Sequence, residues 1–175
     1  MKLKGMKVLT VVEDEFEDSE LLYPHYRLQE EGVIAHIAGK EGGATYTGKN
    51  GVPVTADYSF ENITIEEYSA ILVPGGWAPD KLRRYDEVLD MVTYMNQHKK
   101  VIGQICHAGW VLISADILKG KNVTSTPGIK DDMVNAGAEW HNEEVVVDGH
   151  LVSSRRPPDL PAYGRALVEA LEKQA

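Results

Sequence analysis

Short apolar runs that alternate with helix-like stretches set the architecture of this chain. Met6–Val12, Val33–Ala38, Ala70–Val73 and Val101–Ile105 read as strands, the first, third and fourth as core strands. After the first run, Asp18-Ser19-Glu20 offers a helix start. Leu21, Leu22, His25, Leu28 and Gln29 follow at helical spacing, and Gly32 is the stop. Asp80–Asn96 reads as one helix, with Leu82, Leu89, Val92 and Met95 on its apolar side. A helix runs from Cys106 to Leu118 and closes at Gly120. Asp131–Ala136 and Pro161–Lys173 are further helices, Glu66-Glu67-Tyr68 is a brief helical turn, and Val123 lies in a short strand. Lys49-Asn50-Gly51-Val52 predicts a hairpin turn, and Gly149-His150 a second one between Glu144–Asp148 and Leu151–Ser154. Strands alternating with helices imply parallel βαβ units, hence a helix–sheet–helix sandwich.

At 175 residues, 43% apolar and 26% charged, the chain suits one globular domain spanning 1–175. It has no repeat, low-complexity tract or linker. A single cysteine excludes an internal disulfide and fits a reducing compartment. The basic start, Met1–Lys7, is followed by an apolar stretch that ends at Glu13-Asp14-Glu15, too short for a secretory signal or a membrane span, so a cytoplasmic protein is expected. A formal net charge of −9 argues against a nucleic-acid backbone as main partner.

In a parallel sheet ligands bind beyond the carboxyl ends of the strands. Three segments leave strands there with unusual chemistry: Glu13–Asp18, Pro74-Gly75-Gly76 and Cys106-His107. A sharp strand-to-helix turn at Cys106 lifts its side chain above the sheet edge. The N–H groups of the following helix favour thiolate over thiol. A lone cysteine is also commonly a buried structural residue. Glu15, Glu17, Asp18 and Glu20 read equally as a solvated acidic helix start, His107 as a solvent-facing residue of a first helical turn, and Pro74-Gly75-Gly76 as an ordinary turn. No histidine has metal-site spacing to another or to the cysteine, and the glycine-rich stretch lacks phosphate-loop spacing, so neither metal nor nucleotide is expected.

Taken in order along the chain, several segments carry a resemblance. They are Asp14-Glu15-Phe16-Glu17-Asp18, Leu72-Val73-Pro74-Gly75-Gly76, Ile105-Cys106-His107 and Gly128-Ile129-Lys130-Asp131-Asp132, with Asn135–Trp140, Glu144–Asp148 and Ser153-Ser154-Arg155. The chain resembles the PfpI family of the intracellular-protease/protein-deglycase superfamily, with its class I glutamine amidotransferase-like fold. The resemblance implies a flavodoxin-like three-layer α/β/α sandwich with a mostly parallel central sheet and a nucleophile elbow. It implies Cys106 as nucleophile, Glu17 as the acid held against the sulfur, and His107 as the partner histidine. Gly75 and Gly76 would border the oxyanion pocket, and Asp80 would reach the histidine across a subunit interface. Ala108-Gly109-Trp110 stands where many relatives have Gly-Pro-Gln, and Trp77 would line the entrance. No cofactor is implied, and a homo-oligomer, dimer or higher, is.

A protonated Glu17 beside a thiolate would donate a hydrogen bond and shuttle a proton to substrate oxygen. The function so implied is cysteine-dependent hydrolysis: deglycase or glyoxalase III-like action on α-oxoaldehydes and their adducts on proteins, in stress protection. An intracellular cysteine peptidase is the alternative within the same chemistry. A non-enzymatic thiol sensor or holdase, with Cys106 oxidising to sulfinate, is the alternative outside it.

Overall fold

The structure is a computed structural model that describes residues 1–175. The first half of the chain forms β1 (Lys7–Val11), α1 (Asp18–Glu30), β2 (Ile34–Gly39), β3 (Thr45–Thr47), β4 (Pro53–Thr55), β5 (Tyr58–Ser59) and β6 (Ala70–Val73). Next come α2 (Ala78–Leu82), α3 (Asp86–Gln97), β7 (Val101–Ile105) and α4 (Gly109–Ser114). The remainder is β8 (Asn122–Val123), α5 (Lys130–Asn135), β9 (Glu139–Trp140), β10 (Val145–Asp148), β11 (Leu151–Ser154) and α6 (Leu160–Glu172).

Seven strands make the central sheet in the order β10-β11-β7-β6-β1-β2-β5. All neighbours pair in parallel except β10 with β11, the hairpin turning at Gly149-His150. Successive strand side chains point to opposite faces, and the core divides accordingly. On β6, Ala70 and Leu72 face a layer with Val8, Val101, Leu160, Tyr163 and Leu167, where α6 lies. Ile71 and Val73 face the other layer, with Val88, Val92, Val111, Leu112 and Met133 from α3, α4 and α5. The helix–sheet–helix sandwich expected from the strand pattern is therefore the observed architecture. No helix is long and apolar enough to cross a membrane.

The glycine stop of α1 has a specific geometry. Gly32 takes φ +90, its N–H donates to the Gln29 carbonyl and the Val33 N–H to Leu28. This is the paired closing arrangement in which a left-handed residue ends a helix and satisfies its last carbonyls.

Two expected helices differ from the structure. The helix over 80–96 is two pieces, α2 and α3, separated at Arg83–Tyr85. At Tyr85 the backbone is extended (φ −91, ψ 114), which swings the phenol inward to donate to the buried Glu13 carboxylate at 2.6 Å. Glu13 Oε1 already accepts the Asp14 N–H at 2.9 Å, so the phenol is what satisfies the buried Oε2, and leaving that oxygen bare would cost more than one helical turn gains. The helix after the elbow is a short 3₁₀ turn, Cys106–Ala108, followed by α4, and it ends at Ser114 rather than Leu118. Asp116 takes the left-handed φ of +56 there, with Asp116 N–H on Ile113 and Ile117 N–H on Leu112. Aspartate tolerates that conformation better than most residues, so it ends α4 as Gly32 ends α1. The short strands β5 and β9 have no counterpart in the sequence reading. Each is two residues long and pairs with a neighbour that supplies the register.

Candidate active site

β1, β6 and β7 are adjacent in the sheet, so their carboxyl ends bring Glu13–Asp18, Pro74–Trp77 and Cys106-His107 together. Two of these loops are laced to each other. Glu17 N–H donates to the Gly75 carbonyl at 3.0 Å and Trp77 N–H to the Glu15 carbonyl at 2.9 Å, across a Phe16–Gly76 bridge. Gly76 sits at φ +77, and a Cβ there would come within 2.5 Å of the Glu15 carbonyl and the Glu17 nitrogen. Only glycine fits.

Cys106 follows β7 at φ +64. That left-handed conformation costs a non-glycine residue about 1–2 kcal/mol, and such strain collects at functional sites. The side chain is half-buried. The backbone N–H groups of Gly76 and His107 are directed at the sulfur. His107 Nδ1 lies 3.2 Å from Sγ.

The carboxyl facing Cys106 is Glu20, not Glu17. Glu20 lies in the first turn of α1 on the stripe that also carries Leu21, Pro24 and Leu28, all buried. Its Oε1 accepts the Gly75 N–H at 2.9 Å. Its Oε2 is buried without a nitrogen or oxygen partner. Burial and the nearby Glu17 charge raise Glu20 to about 8. Glu17, one turn earlier at the helix N-cap, is engaged instead by Lys49, whose Nζ lies 2.6 Å from its Oε2. The helix register decides between two acids three residues apart. The cue lay in the sequence: Glu20, Pro24 and Leu28 recur at a spacing of four on the inward face.

Burial, then the Glu20 charge, pushes the Cys106 thiol up to about 12, while the Gly76 and His107 N–H groups and Lys49 pull it down. The resting thiolate expected from the elbow alone is thus opposed by the acid beside it. Thiol and carboxyl both resist ionisation, and losing a proton from one makes the second loss harder, so they titrate as a pair.

His107 is held below the ordinary histidine value by burial and by Lys49. Its ring sits between Trp77 and Trp110, each 5.0 Å away between centroids. It is therefore neutral near pH 7. Asp80 is exposed on α2 and pairs with Arg84 at 2.5 Å, with no contact to His107 within one chain. Gly75 does not offer its N–H to the cavity, because Glu20 occupies it; of the two glycines, Gly76 has the amide aimed at the sulfur.

Lys49 was legible only as part of a hairpin turn. β3 and β4 pair antiparallel as that turn required. The turn is then fastened over the site by the buried Asp18, whose carboxylate accepts the Asn50 N–H at 3.0 Å and the Val52 N–H at 2.9 Å. No group of three His, Cys, Asp or Glu side chains converges to hold a metal ion.

Residues 6–170 match the DJ-1/PfpI family. Over 167 residues the chain is 48% identical to "Deglycase PH1704" of Pyrococcus horikoshii, covering 95% of this chain and 100% of that protein. It is 46% identical over 167 residues to "Deglycase PfpI" of Pyrococcus furiosus, with the same coverage of each. A two-domain protein from Anabaena variabilis, with dj-1/thij/pfpi-like and ferritin-like domains, superposes at a TM-score of 0.93 with 35% identity over 95% of this chain. The chain spans about half (48%) of that longer protein. The sandwich is thus shared architecture, and the chain belongs to the DJ-1/PfpI family.

Proposed function

We propose that the chain is a cysteine-dependent enzyme that hydrolyses the adducts α-oxoaldehydes form on proteins, and that it converts free methylglyoxal by the same route. The observation that carries this reading is Cys106 at φ +64 with a protonatable, buried Glu20 facing it and two backbone N–H groups directed at its sulfur. Both named relatives bear the name deglycase.

The sulfur adds to the aldehyde carbon as its proton leaves to His107, which is neutral and 3.2 Å away. The carbonyl electron pair becomes an alkoxide, stabilised by N–H groups at the elbow and protonated by Glu20. A proton then moves from the former aldehyde carbon to its ketone neighbour through an enediol, giving a thioester. Water cleaves the thioester to a 2-hydroxy acid and restores the thiol. The net change is addition of one water, so no redox partner is required. In an amine adduct the former aldehyde carbon already carries the nitrogen, so the sulfur displaces the amine there. The C–S bond forms as the C–N bond breaks, the Glu20 proton goes to the leaving nitrogen, and the resulting hemithioacetal follows the same isomerisation and hydrolysis to the acid. A carboxyl near 8 is protonated at neutral pH and still gives up its proton readily, the property a shuttle needs.

Purified protein incubated with methylglyoxal-treated peptide should release lactate steadily, and Cys106→Ala should release none. Unchanged adduct together with cleavage of casein would replace this reading by a peptidase. Ready formation of Cys106 sulfinate without turnover would replace it by a thiol sensor. We further propose a homo-oligomer in which Asp80 orients His107 of a neighbouring subunit. Dilution that dissociates the assembly should then lower activity, and Asp80→Asn should lower it in the intact assembly. Full activity in the separated subunits would remove Asp80 from the mechanism.

A further inference from the structure

Trp77 is 54% exposed although its ring packs 5.0 Å from His107. An indole carries more apolar area than almost any side chain, so leaving half of it in water beside the nucleophile is costly. A cavity of about 620 Å3 opens next to it, walled by Asp14, Glu15, Thr47, Gly48, Lys49 and Trp77. The wall has one apolar member, the indole. Its one cation, Lys49, is held by Glu17 at 2.6 Å. Asp14 and Glu15 are exposed and take part in no ion pair. Glu15 is pinned beside Trp77 by its φ of +66 and by the Trp77 N–H on its carbonyl. Asp14 Oδ1 accepts the Thr47 N–H at 2.9 Å, and neither carboxylate is neutralised by a cation. An open aromatic face with such carboxylates at its margin is the chemistry that receives an organic cation.

We propose that Trp77 determines specificity: its indole, with Asp14 and Glu15, takes the guanidinium or ammonium of a basic residue that neighbours the adduct in a peptide substrate. This rests on the reading of Cys106 as acting on protein adducts. Trp77 connects to the sulfur through a single ring, since His107 lies between them. A residue flanking the modified one would therefore fall in the cavity when the adduct reaches Cys106. Acidic stretches would be repelled by the same carboxylates.

The test uses two peptides with the same methylglyoxal-modified lysine, one flanked by arginines and one by glutamates, with kcat/KM read from lactate release. The wild type should favour the arginine peptide about tenfold, the scale of one exposed cation–π contact with added carboxylates. Trp77→Leu should bring the ratio to about threefold or less, Trp77→Phe should retain part of it, and high salt should shrink it. Equal kcat/KM in the wild type, or an undiminished ratio in Trp77→Leu, overturns the proposal. If neither peptide is turned over, the deglycase reading fails by itself. The subsite is then decided by calorimetry with the unmodified peptides on the Cys106→Ala protein. Tighter binding of the arginine peptide, weakened by Trp77→Leu, supports the subsite; equal binding of the two peptides ends it.

Discussion

Glu20 and Cys106 face each other on either side of Gly75, whose N–H holds the carboxyl and whose missing side chain leaves the room between them: a Cβ on Gly75 would lie 2.6 Å from the Cys106 Cβ. Burial and then the Glu20 charge raise the thiol's cost of ionising, while Glu20 itself is raised by burial and by Glu17 and eased slightly by its hydrogen bond with Cys106. The proton that Glu20 carries is the one the proposed reaction delivers to the alkoxide. Glu20→Gln keeps the shape and cannot deliver that proton, so turnover should fall by about 10²–10⁴-fold. Alkylation by iodoacetamide should move the opposite way. Above pH 8 the wild-type carboxylate suppresses the thiolate and the amide does not, so the variant should react faster there. Loss of both turnover and alkylation would assign Glu20 to packing alone.

The same carboxyl makes stability depend on pH. Its folded value of about 8 lies above the ordinary 4.5. Below 4.5 it is protonated in both folded and unfolded chains, and its full contribution is present. As pH rises from 4.5 to about 8 the unfolded chain releases the proton and the folded one keeps it, so stability is lost across that window, at most about 1.4 kcal/mol per pH unit. Above 8 the loss is complete. Denaturant midpoints between pH 4 and 9 should show this slope in the wild type and a shallower one in Glu20→Gln. Parallel curves would contradict it.

Gly75→Ala inserts a methyl between the acid and the sulfur. Glu20 must leave its bond to the Gly75 nitrogen, and activity should fall at least about 100-fold. Crowding of this kind costs about 1–3 kcal/mol of stability, so the protein should still fold. Retained activity would show that the carboxyl need not sit where it does.

Lys49→Met removes the cation that lowers both the His107 and Cys106 values. The His107 value should rise, visible in its ring-proton shifts, and the acid limb of the activity profile should move to higher pH. Thiol alkylation should slow, because the thiol value rises too. Lys49→Arg should leave all three close to wild type. An unmoved histidine titration in Lys49→Met would confine Lys49 to holding Glu17.

The sheet was legible because β1, β6 and β7 are short, mostly apolar runs rich in Val, Ile and Leu, interrupted inside only by Thr10, Gly103 and Gln104, a pattern that favours buried parallel strands. The divided helix over 80–96 was not, since the break comes from a contact between Tyr85 and Glu13, 72 positions apart in sequence. Cys106, His107 and Gly76 could be placed from the elbow and the Pro-Gly-Gly turn, because local backbone geometry positions them. Glu20 was passed over in favour of Glu17, which the resemblance implied, although Glu20 recurs with Pro24 and Leu28 on the buried face of a helix whose start at Asp18 was legible. Lys49 escaped notice for a different reason: only the packing of a hairpin on Asp18 carries it to the site.

The left-handed backbone at residue 106 sets reactivity against comfort. A glycine in that position would relax the turn by roughly 1 kcal/mol, leaving a chain that folds more readily and catalyses nothing. The sulfur is thus carried at the point where the polypeptide would most gladly do without a side chain, and retaining it there is a cost that packing elsewhere in the sandwich must offset.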